Sequence, residues 1–560
     1  MQMRWACLMA VCLVGVSGCQ PGCGAKPVQV SNKHVAANNL STRISFVDVA
    51  KESGLVISCP LQARPMRVLE AFGCGCAAFD GDNDGWQDVL LVTNPRPVLF
   101  RNSGTGKFQD VSATSGFATA AADLFGCAIG DYDGDGLLDV LFTGFHRLAL
   151  YKNLGDLHFQ MVTEQAGLDP HNHGKWASSA GFMDLDGDQD LDLVIVNFVE
   201  FGPHVKQYCE LQGGVLAGCI PRHYVAEKGE IWKNTGQGRF ELQSPENGMG
   251  DTNGVGLVLA FNDINHDGRM DIYVGNDGTP AEMLLNQGNM KFENVGSISG
   301  LAYDGRGVPA AAMGADWADF DRDGQLDLSV SNFQDLGFLV FRNLNDNQFL
   351  DSSIPTGLTT LTKNRLGFGT KWVDFDNDAW VDLFFTNGHV YDNAQEAVGP
   401  DVQFRQPVSL LQNRRGEAFV DLTPQMGQDV RRPMMGRGSA TADFNNDGQI
   451  DLLGVDFEGP LMLLQNRSDA GHHWITLDLR AAVPNVFAYG AVLTAKAGDQ
   501  TWVGLVSPAS SYLSSSDPRV HWGLGEASQL DELSIRWPNG KTQTLRDVSA
   551  DQILRVNQEP

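Results

Sequence analysis

Basic residues are scarce in this sequence. Its 560 residues hold 40 Lys and Arg against 68 Asp and Glu, a formal charge of −28. That balance excludes a nucleic-acid partner, because a phosphate backbone would be repelled, and it excludes docking on anionic lipid by charge. Beyond the N-terminus no stretch reaches 18 consecutive apolar residues, so no spanning helix is expected there. Catalytic signatures are missing as well. There is no G-x-S-x-G elbow, no H-E-x-x-H and no P-loop. The S-x-D-x-G-x-T-W box of sialidases survives only as the fragment GDQTW at 498–502. Neither C-x-x-C nor C-x-x-C-H occurs, which leaves thioredoxin-like redox chemistry and c-type haem without support. His171-x-His173 and His472-His473 are read as a solvated loop pair and a structural junction.

The N-terminus is built for export. Residues 1–4 are positively charged and 5–18 are apolar but too short to span comfortably. The segment ends in Val16-Ser17-Gly18-Cys19, which resembles the lipobox of a bacterial lipoprotein signal. The resemblance implies a lipid on Cys19; the alternative is an ordinary secretory signal with a chance cysteine. Besides Cys19, seven cysteines remain after cleavage: Cys23, Cys59, Cys74, Cys76, Cys127, Cys209 and Cys219. Outside the cytoplasm disulfides are permitted. Cys209 and Cys219 bracket one Gly-rich loop and are the expected pair.

What the sequence has in abundance is one acidic loop. FDGDNDGWQDVLLV at 79–92 places aspartates at positions 1, 3, 5 and 9 of a D-x-D-x-D-G-x-x-D pattern, directly before an apolar run. Seven copies occur. The first three place Asp80, Asp82, Asp84 and Asp88, then Asp131, Asp133, Asp135 and Asp139, then Asp184, Asp186, Asp188 and Asp192. The fourth and fifth place Asp263, Asn265, Asp267 and Asp271, then Asp319, Asp321, Asp323 and Asp327. The last two place Asp374, Asp376, Asp378 and Asp382, then Asp443, Asn445, Asp447 and Asp451.

Oxygens at alternate positions converge when the chain curls, and glycine at position 6 permits the turn. A flexible cage of hard carboxylate oxygens selects Ca2+ over Mg2+. Up to seven Ca2+ are therefore expected, each neutralising its crowded charges. The twelfth position never carries the Glu of an EF-hand. Asp and Gly also form such turns without metal, which is the alternative reading. The third and sixth copies have Gln189 and Ala379 in place of glycine, and the fourth and seventh have Asn265 and Asn445 at position 3. These four are expected to bind more weakly than the first, second and fifth.

Each loop sits in a longer unit. A small-residue strand precedes it, a β-rich run such as VLLV or LVIV follows, and a further strand ends in asparagine, as in LFRN, LYKN and IWKN. A turn then leads to Phe108, Phe159, Phe240, Phe292, Phe349 or Phe419, with Phe46 playing that part ahead of the first loop. Four short strands per unit and no helical periodicity predict an all-β, seven-bladed β-propeller, whose closure protects sheet edges. The alternative is an open solenoid of hairpins. The units resemble FG-GAP/VCBS repeats of integrin-α-type propellers, and the resemblance implies calcium ligands at positions 1, 3, 5 and 9.

The repeat stops after Asn466. The last ninety residues are again β-rich, with a Pro538-Asn539-Gly540 turn between two strand-like runs. Their S-D-P-x-x-H-x-G-L-G run at 516–525, followed by W-P-N-G, resembles the ASPIC/UnbV domain, which occurs in cartilage acidic proteins and many bacterial surface proteins. The loop at 485–491 departs from the commoner N-x-x-G-I-G-A form. The expected layout is a signal peptide at 1–18, a polar linker at 19–40, the propeller at 41–470 and the ASPIC/UnbV-like β-domain at 471–560.

Two units are lengthened in the same connection, between 197 and 231 and between 387 and 410. Equivalent connections of a propeller lie on one face, where long ones make binding surfaces. Phe201, Tyr208, Tyr224, His389 and Tyr391 are the residues expected to grip a partner. The reading is a lipid-anchored, extracytoplasmic calcium-binding protein of the bacterial outer membrane or cell surface, for recognition of protein or carbohydrate or for adhesion. It touches membrane only through its anchor. The alternative is a surface polysaccharide hydrolase or lyase using the propeller face.

Overall fold

The computed structural model describes residues 44–57, 59, 61–243, 245–249, 254–469 and 471–560. The expected signal and the whole expected linker, with Cys19 and Cys23, lie outside the described residues.

Each acidic loop is the turn of a hairpin. In the first sheet Cys76–Phe79 leads into the loop and Asp88–Leu91 leaves it. Val98–Asn102 and Phe108–Asp110 then complete an antiparallel four-stranded meander. The same meander begins again at Leu124–Gly130, Ala177–Met183, Gly256–Asn262, Ala315–Ala318, Gly367–Val373 and Gly436–Ala442. The first strand of each sheet is innermost, and small residues let these strands converge. A Cβ on Gly438 would lie 2.7 Å from Gly75 Cα of the neighbouring sheet. The second strands, such as Asp192–Asn197, are buried along their whole length. Covered on both faces, they read as continuous apolar runs rather than alternating ones.

Inner strands pack on their neighbours in chain order, and Gly436–Ala442 packs back on Cys76–Phe79. The sheets therefore close a ring, and the open solenoid is excluded. The seventh sheet takes its outermost strand from the far end of the chain. Phe46–Asp48 pairs with Met462–Asn466, Phe46 opposite Asn466. Phe46 thus occupies in the last sheet the place that Phe108 or Phe159 occupies in its own. This shared sheet covers an edge that would otherwise be free. The fold is an all-β propeller.

The C-terminal strands form two further sheets. One orders Val520–Gly525, His473–Arg480 and Gln552–Asn557. The other orders Gln500–Leu505, Val492–Ala497, Gln529–Arg536 and Thr542–Ser549. The Asn539-Gly540 turn closes the expected hairpin, with Trp537 N donating to Lys541 O at 2.9 Å.

A short hairpin, Ala509–Ser510 and Ser514–Ser515, leaves this domain and joins the first propeller sheet, Ser515 parallel to Ala77. It fills the ring's axis. Ser511 N donates to Ala315 O (2.7 Å), Cys127 N to Leu513 O (3.1 Å), Thr370 N to Ser511 Oγ (3.2 Å) and Tyr512 Oη to Phe72 O (3.0 Å). Residues from Ile44 to Pro560 accordingly belong to one compact unit.

Candidate functional site

The acidic loops share one internal geometry. The position-1 carboxylate closes the turn from inside: Asp80 accepts from Asp84 N at 3.0 Å and from Gly85 N at 2.9 Å. The position-9 carboxylate ties the loop to its sheet. Asp88 accepts from Gly81 N at 3.1 Å and from Asn102 N at 2.8 Å. Position 5 is turned partly outward, with Asp84 Oδ1 accepting from Trp86 N at 3.0 Å.

Positions 1, 3 and 9 converge. Their oxygens come within 4.8 Å of one another in Asp80/Asp82/Asp88, Asp131/Asp133/Asp139, Asp184/Asp186/Asp192, Asp319/Asp321/Asp327 and Asp374/Asp376/Asp382. Asp84, Asp135, Asp188, Asp323 and Asp378 lie outside these trios. In every trio the position-3 Oδ1, of Asp82, Asp133, Asp186, Asp321 or Asp376, is buried with no hydrogen-bond partner. An orphaned buried carboxylate oxygen costs free energy, so each loop carries one acceptor that the chain itself leaves unmatched. Burial, first of all, raises these acids: Asp80 and Asp184 to about 6, Asp131 and Asp319 to about 7, Asp88 and Asp192 to about 8. Neighbouring carboxylates add to the rise, while backbone N–H groups oppose it. An all-oxygen donor set with an unmatched acceptor fits a hard divalent cation, and several loops could hold one.

Gln189 (φ 72°) and Ala379 (φ 76°) take the left-handed conformation expected at position 6, yet the third and sixth trios assemble like the others. The fourth loop differs more. Asn265 Oδ1 accepts from Asp267 N at 3.2 Å, and Arg536 of the C-terminal domain donates to Asp263 Oδ2 at 2.7 Å. A guanidinium thus pairs with the position-1 carboxylate, which no cation does in the other loops among the described residues. In the seventh loop Asn445 donates to Asp447 Oδ2 at 2.8 Å, and its own Oδ1 is unpartnered.

Sequence reasoning missed two partners of these loops. A cation on the third strand, Arg101, Lys152, Lys233 or Arg342, pairs with position 3 in the first, second, third and fifth loops. The asparagine that follows each of them is a brace. Asn102 Nδ2 donates to Gln87 O within its loop at 3.0 Å and to Phe444 O in the preceding loop at 2.9 Å. The same reach into the preceding loop recurs at Asn153, Asn234, Asn286, Asn413 and Asn466. The repeated R/K-N strand ends were the readable signal.

The C-terminal domain lies on the loops. A Cβ on Gly523 would come 2.1 Å from Asp374 Oδ2, so only glycine lets that strand approach the sixth loop. Gly525 N donates to Asn377 O at 2.9 Å, His521 Nε2 meets Asn377 Oδ1 at 3.0 Å, and His472 donates to Asp376 O at 2.8 Å. Arg322 of the fifth loop sits between the rings of Trp380 and Trp502. Tyr489, from the divergent 485–491 loop, is buried and donates to Ile129 O at 3.3 Å. The S-D-P-x-x-H-x-G-L-G run is therefore a docking strip.

The family comparisons match this division. The FG-GAP-like repeat matches residues 80–142, 131–195 and 263–330, and the ASPIC and UnbV family matches 482–560. The chain carries FG-GAP-like repeats and an ASPIC and UnbV domain. It is homologous over most of its length to cartilage acidic protein 1. The Xenopus tropicalis protein is 25% identical over 531 residues, 86% of this chain and 72% of that one. The Mus musculus protein is 24% identical over 530 residues, 86% and 73%. Solved structures overlap loosely. An Agrocybe aegerita lectin that recognises non-reducing terminal N-acetylglucosamine superposes with TM-score 0.40 at 16% identity, covering 70% of this chain and 85% of that one. YCF48 bound to D1 peptide does so with TM-score 0.39 at 11%, covering 73% and 97%.

On the face away from the FG-GAP-like loops, both lengthened connections fall where expected, between Asp192–Asn197 and Glu230–Asn234 and between Asp382–Asn387 and Ser409–Asn413. The first is stapled by a Cys209–Cys219 disulfide. Their aromatic residues are not an open grip. Phe201, Tyr224 and His389 are buried because they pack the inserts against the ring, and Tyr208 is half-buried. His389 is held down to about 4 by burial, and so is neutral. Tyr391 is buried from solvent but lines an internal cavity.

Proposed function

We propose that the protein is a calcium-dependent recognition protein displayed outside the cytoplasmic membrane, held there by a lipid on Cys19. Its FG-GAP-like loops bind structural Ca2+, and its insert-bearing face receives an extracellular protein or glycan. The unmatched Oδ1 of Asp82, Asp133, Asp186, Asp321 and Asp376, each beside two further carboxylates, carries the calcium reading. Multiple carboxylate ligands on a flexible loop favour Ca2+ over the smaller, geometrically stricter Mg2+. When bound, the ion supplies the positive charge that lets these buried acids ionise. The chain does the rest. Position 1 fixes the turn, position 9 anchors it to the sheet, and the asparagine braces of every sheet but the fifth join its loop to the one before. Export is supported by the Cys209–Cys219 disulfide.

Metal analysis and thermal unfolding test this on the purified chain, in about 2 mM Ca2+ and in excess chelator. A site held at a hundredfold excess over its Kd contributes about 2.7 kcal/mol, so chelating several should lower the melting temperature by about 10 °C or more. An Asp80→Ala, Asp319→Ala double variant should bind about two ions fewer. Little bound metal and an unchanged melt would mean that the loops are only turns.

A further inference from the structure

The face opposite the loops is roofed by its own inserts. Asn393 Nδ2 of the sixth-sheet insert donates to Leu216 O of the third-sheet insert at 2.9 Å, and Ala217, Tyr391 and Ala394 pack together. The segment before the first sheet joins them, Met66 N donating to Asp392 Oδ1 at 2.8 Å. Beneath this roof lies a cavity of about 400 Å3, within the size range of small-molecule sites. Tyr512, the tip of the axial hairpin, forms its floor. Phe198, Phe333, Phe368 and Tyr391 supply aromatic walls.

Two acceptors in this lining have no donor. Asp277 directly follows the strand Asp271–Asn276, and its backbone is fixed by a hydrogen bond from its N to Val255 O at 2.8 Å. Its half-buried carboxylate receives no hydrogen bond or ion pair from the described residues. Gln334 Oε1 is buried and unpartnered. The nearby cations are committed elsewhere or lie outside. Arg67 is engaged by Glu70 and Gln207, and Arg222 is exposed at the mouth. Arg437, behind the Phe368 ring, donates to Ala71 O, Gly388 O and Gly436 O.

An unpaired carboxylate in an apolar wall is costly. It is accounted for if a cation arrives from outside, where aromatic faces also attract positive charge. We propose that the cavity binds a small organic cation, an ammonium or guanidinium group on an apolar body, with Asp277 and Gln334 as its acceptors and the aromatic walls around it. A neutral donor could hydrogen-bond Asp277 but would leave its charge uncompensated, and an anion would be repelled by it. The inference rests on the recognition reading and names what the insert face takes; the ligand can be free or the side chain of a larger partner.

Calorimetric titration of the full chain in Ca2+ tests it with three cations: phenethylammonium, benzyltrimethylammonium and benzylguanidinium. The neutral 2-phenylethanol and the anionic 3-phenylpropionate serve as controls. At least one cation should bind about tenfold or more tightly than 2-phenylethanol, with 3-phenylpropionate weakest. Asp277→Asn should remove that preference without lowering the melting temperature, because it removes an unpaired charge. Gln334→Leu should weaken the cation several-fold and leave the alcohol unchanged. Binding of none of the cations, equal binding of all probes, or an undiminished preference in Asp277→Asn overturns the proposal. A failed cation preference with an intact calcium response removes only the cavity assignment. Cation binding without any calcium response removes only the metal reading.

Discussion

The propeller's two faces handle polar groups in opposite ways. On the loop face almost every carboxylate is answered by the chain: backbone N–H groups, third-strand cations, asparagine braces and the C-terminal domain all converge there. What remains unmatched is one oxygen per trio, identically placed in five sheets. On the insert face Asn276 and Asn387, at the ends of two second strands, each leave an Oδ1 unpartnered, but the two acceptors without a donor in the cavity lining, Asp277 and Gln334, occur once each. Repetition across five sheets marks a requirement of the repeat, and hence of the fold. A single irregular pair in a lined cavity marks a requirement of one ligand. The same observation, an acceptor without a donor, thus reads as structural on one side and as recognition on the other.

The largest expected contrast is in pH. Burial holds Asp80, Asp131, Asp319 and Asp88 near 6 to 8, above their unfolded values near 4. A raised folded value stabilises below the unfolded value and loses that contribution as pH rises through the folded one. The metal-free protein should therefore melt at progressively lower temperature from pH 5 to pH 8. Bound Ca2+ demands ionised carboxylates, so in Ca2+ the melt should instead hold or rise over that window. Parallel curves with and without chelator would break the assignment of the loops to metal.

Next in size is loss of the cover. Gly523→Ala places a Cβ 2.1 Å from Asp374 Oδ2 and 2.5 Å from Asn377 Cα, both buried. Overpacking of this kind costs about 1–3 kcal/mol, occasionally more. We expect the variant's 516–525 strip to become accessible to proteases, while cation binding under the insert roof persists. A smaller effect separates the braces. Asn153→Ala strips donors from Gly81 O and Leu138 O, whereas Asn343→Ala strips one only from Leu326 O. At about 1–3 kcal/mol for each buried group left unsatisfied, chemical denaturation should show the first variant as the less stable. Equal losses would mean that the reach between neighbouring loops contributes nothing.

Much of the loop face was legible because its information is local and repeated. Position, charge and glycine fall within nine residues and recur seven times, so the hairpins, the inward carboxylates and the left-handed Gln189 and Ala379 could be anticipated. The closing strand could not. Phe46 looks like the start of a first unit, and only pairing with Asn466, 420 positions away in the chain, reveals it as the end of the last. The docking strip was visible as a motif but not as a contact, because its partners Asp374 and Asn377 lie in another domain. The insert aromatics misled for a related reason. Phe201, Tyr224 and His389 suit a binding surface in composition, but the inserts are long enough to need a core of their own and spend these residues on it.

The smallest prediction returns to the loop that departs from the rest. In the fourth sheet Asn265 satisfies its own Oδ1 locally, and the Arg536 guanidinium reaches Asp263 from the C-terminal domain. Among the described residues no other loop has a cation on its position-1 carboxylate, so the fourth loop has an arginine in the role of a metal. Arg536 is one-third exposed, which screens the pair to about 1 kcal/mol or less. Arg536→Ala should therefore cost little stability in chelator. In Ca2+ it should open the fourth loop to an additional weakly held ion, counted by metal analysis against the parent. If the parent already holds an ion there, the count will not change, and the exchange of arginine for metal is wrong. If the count rises by one, the fourth loop is an acidic site converted into an interdomain bond.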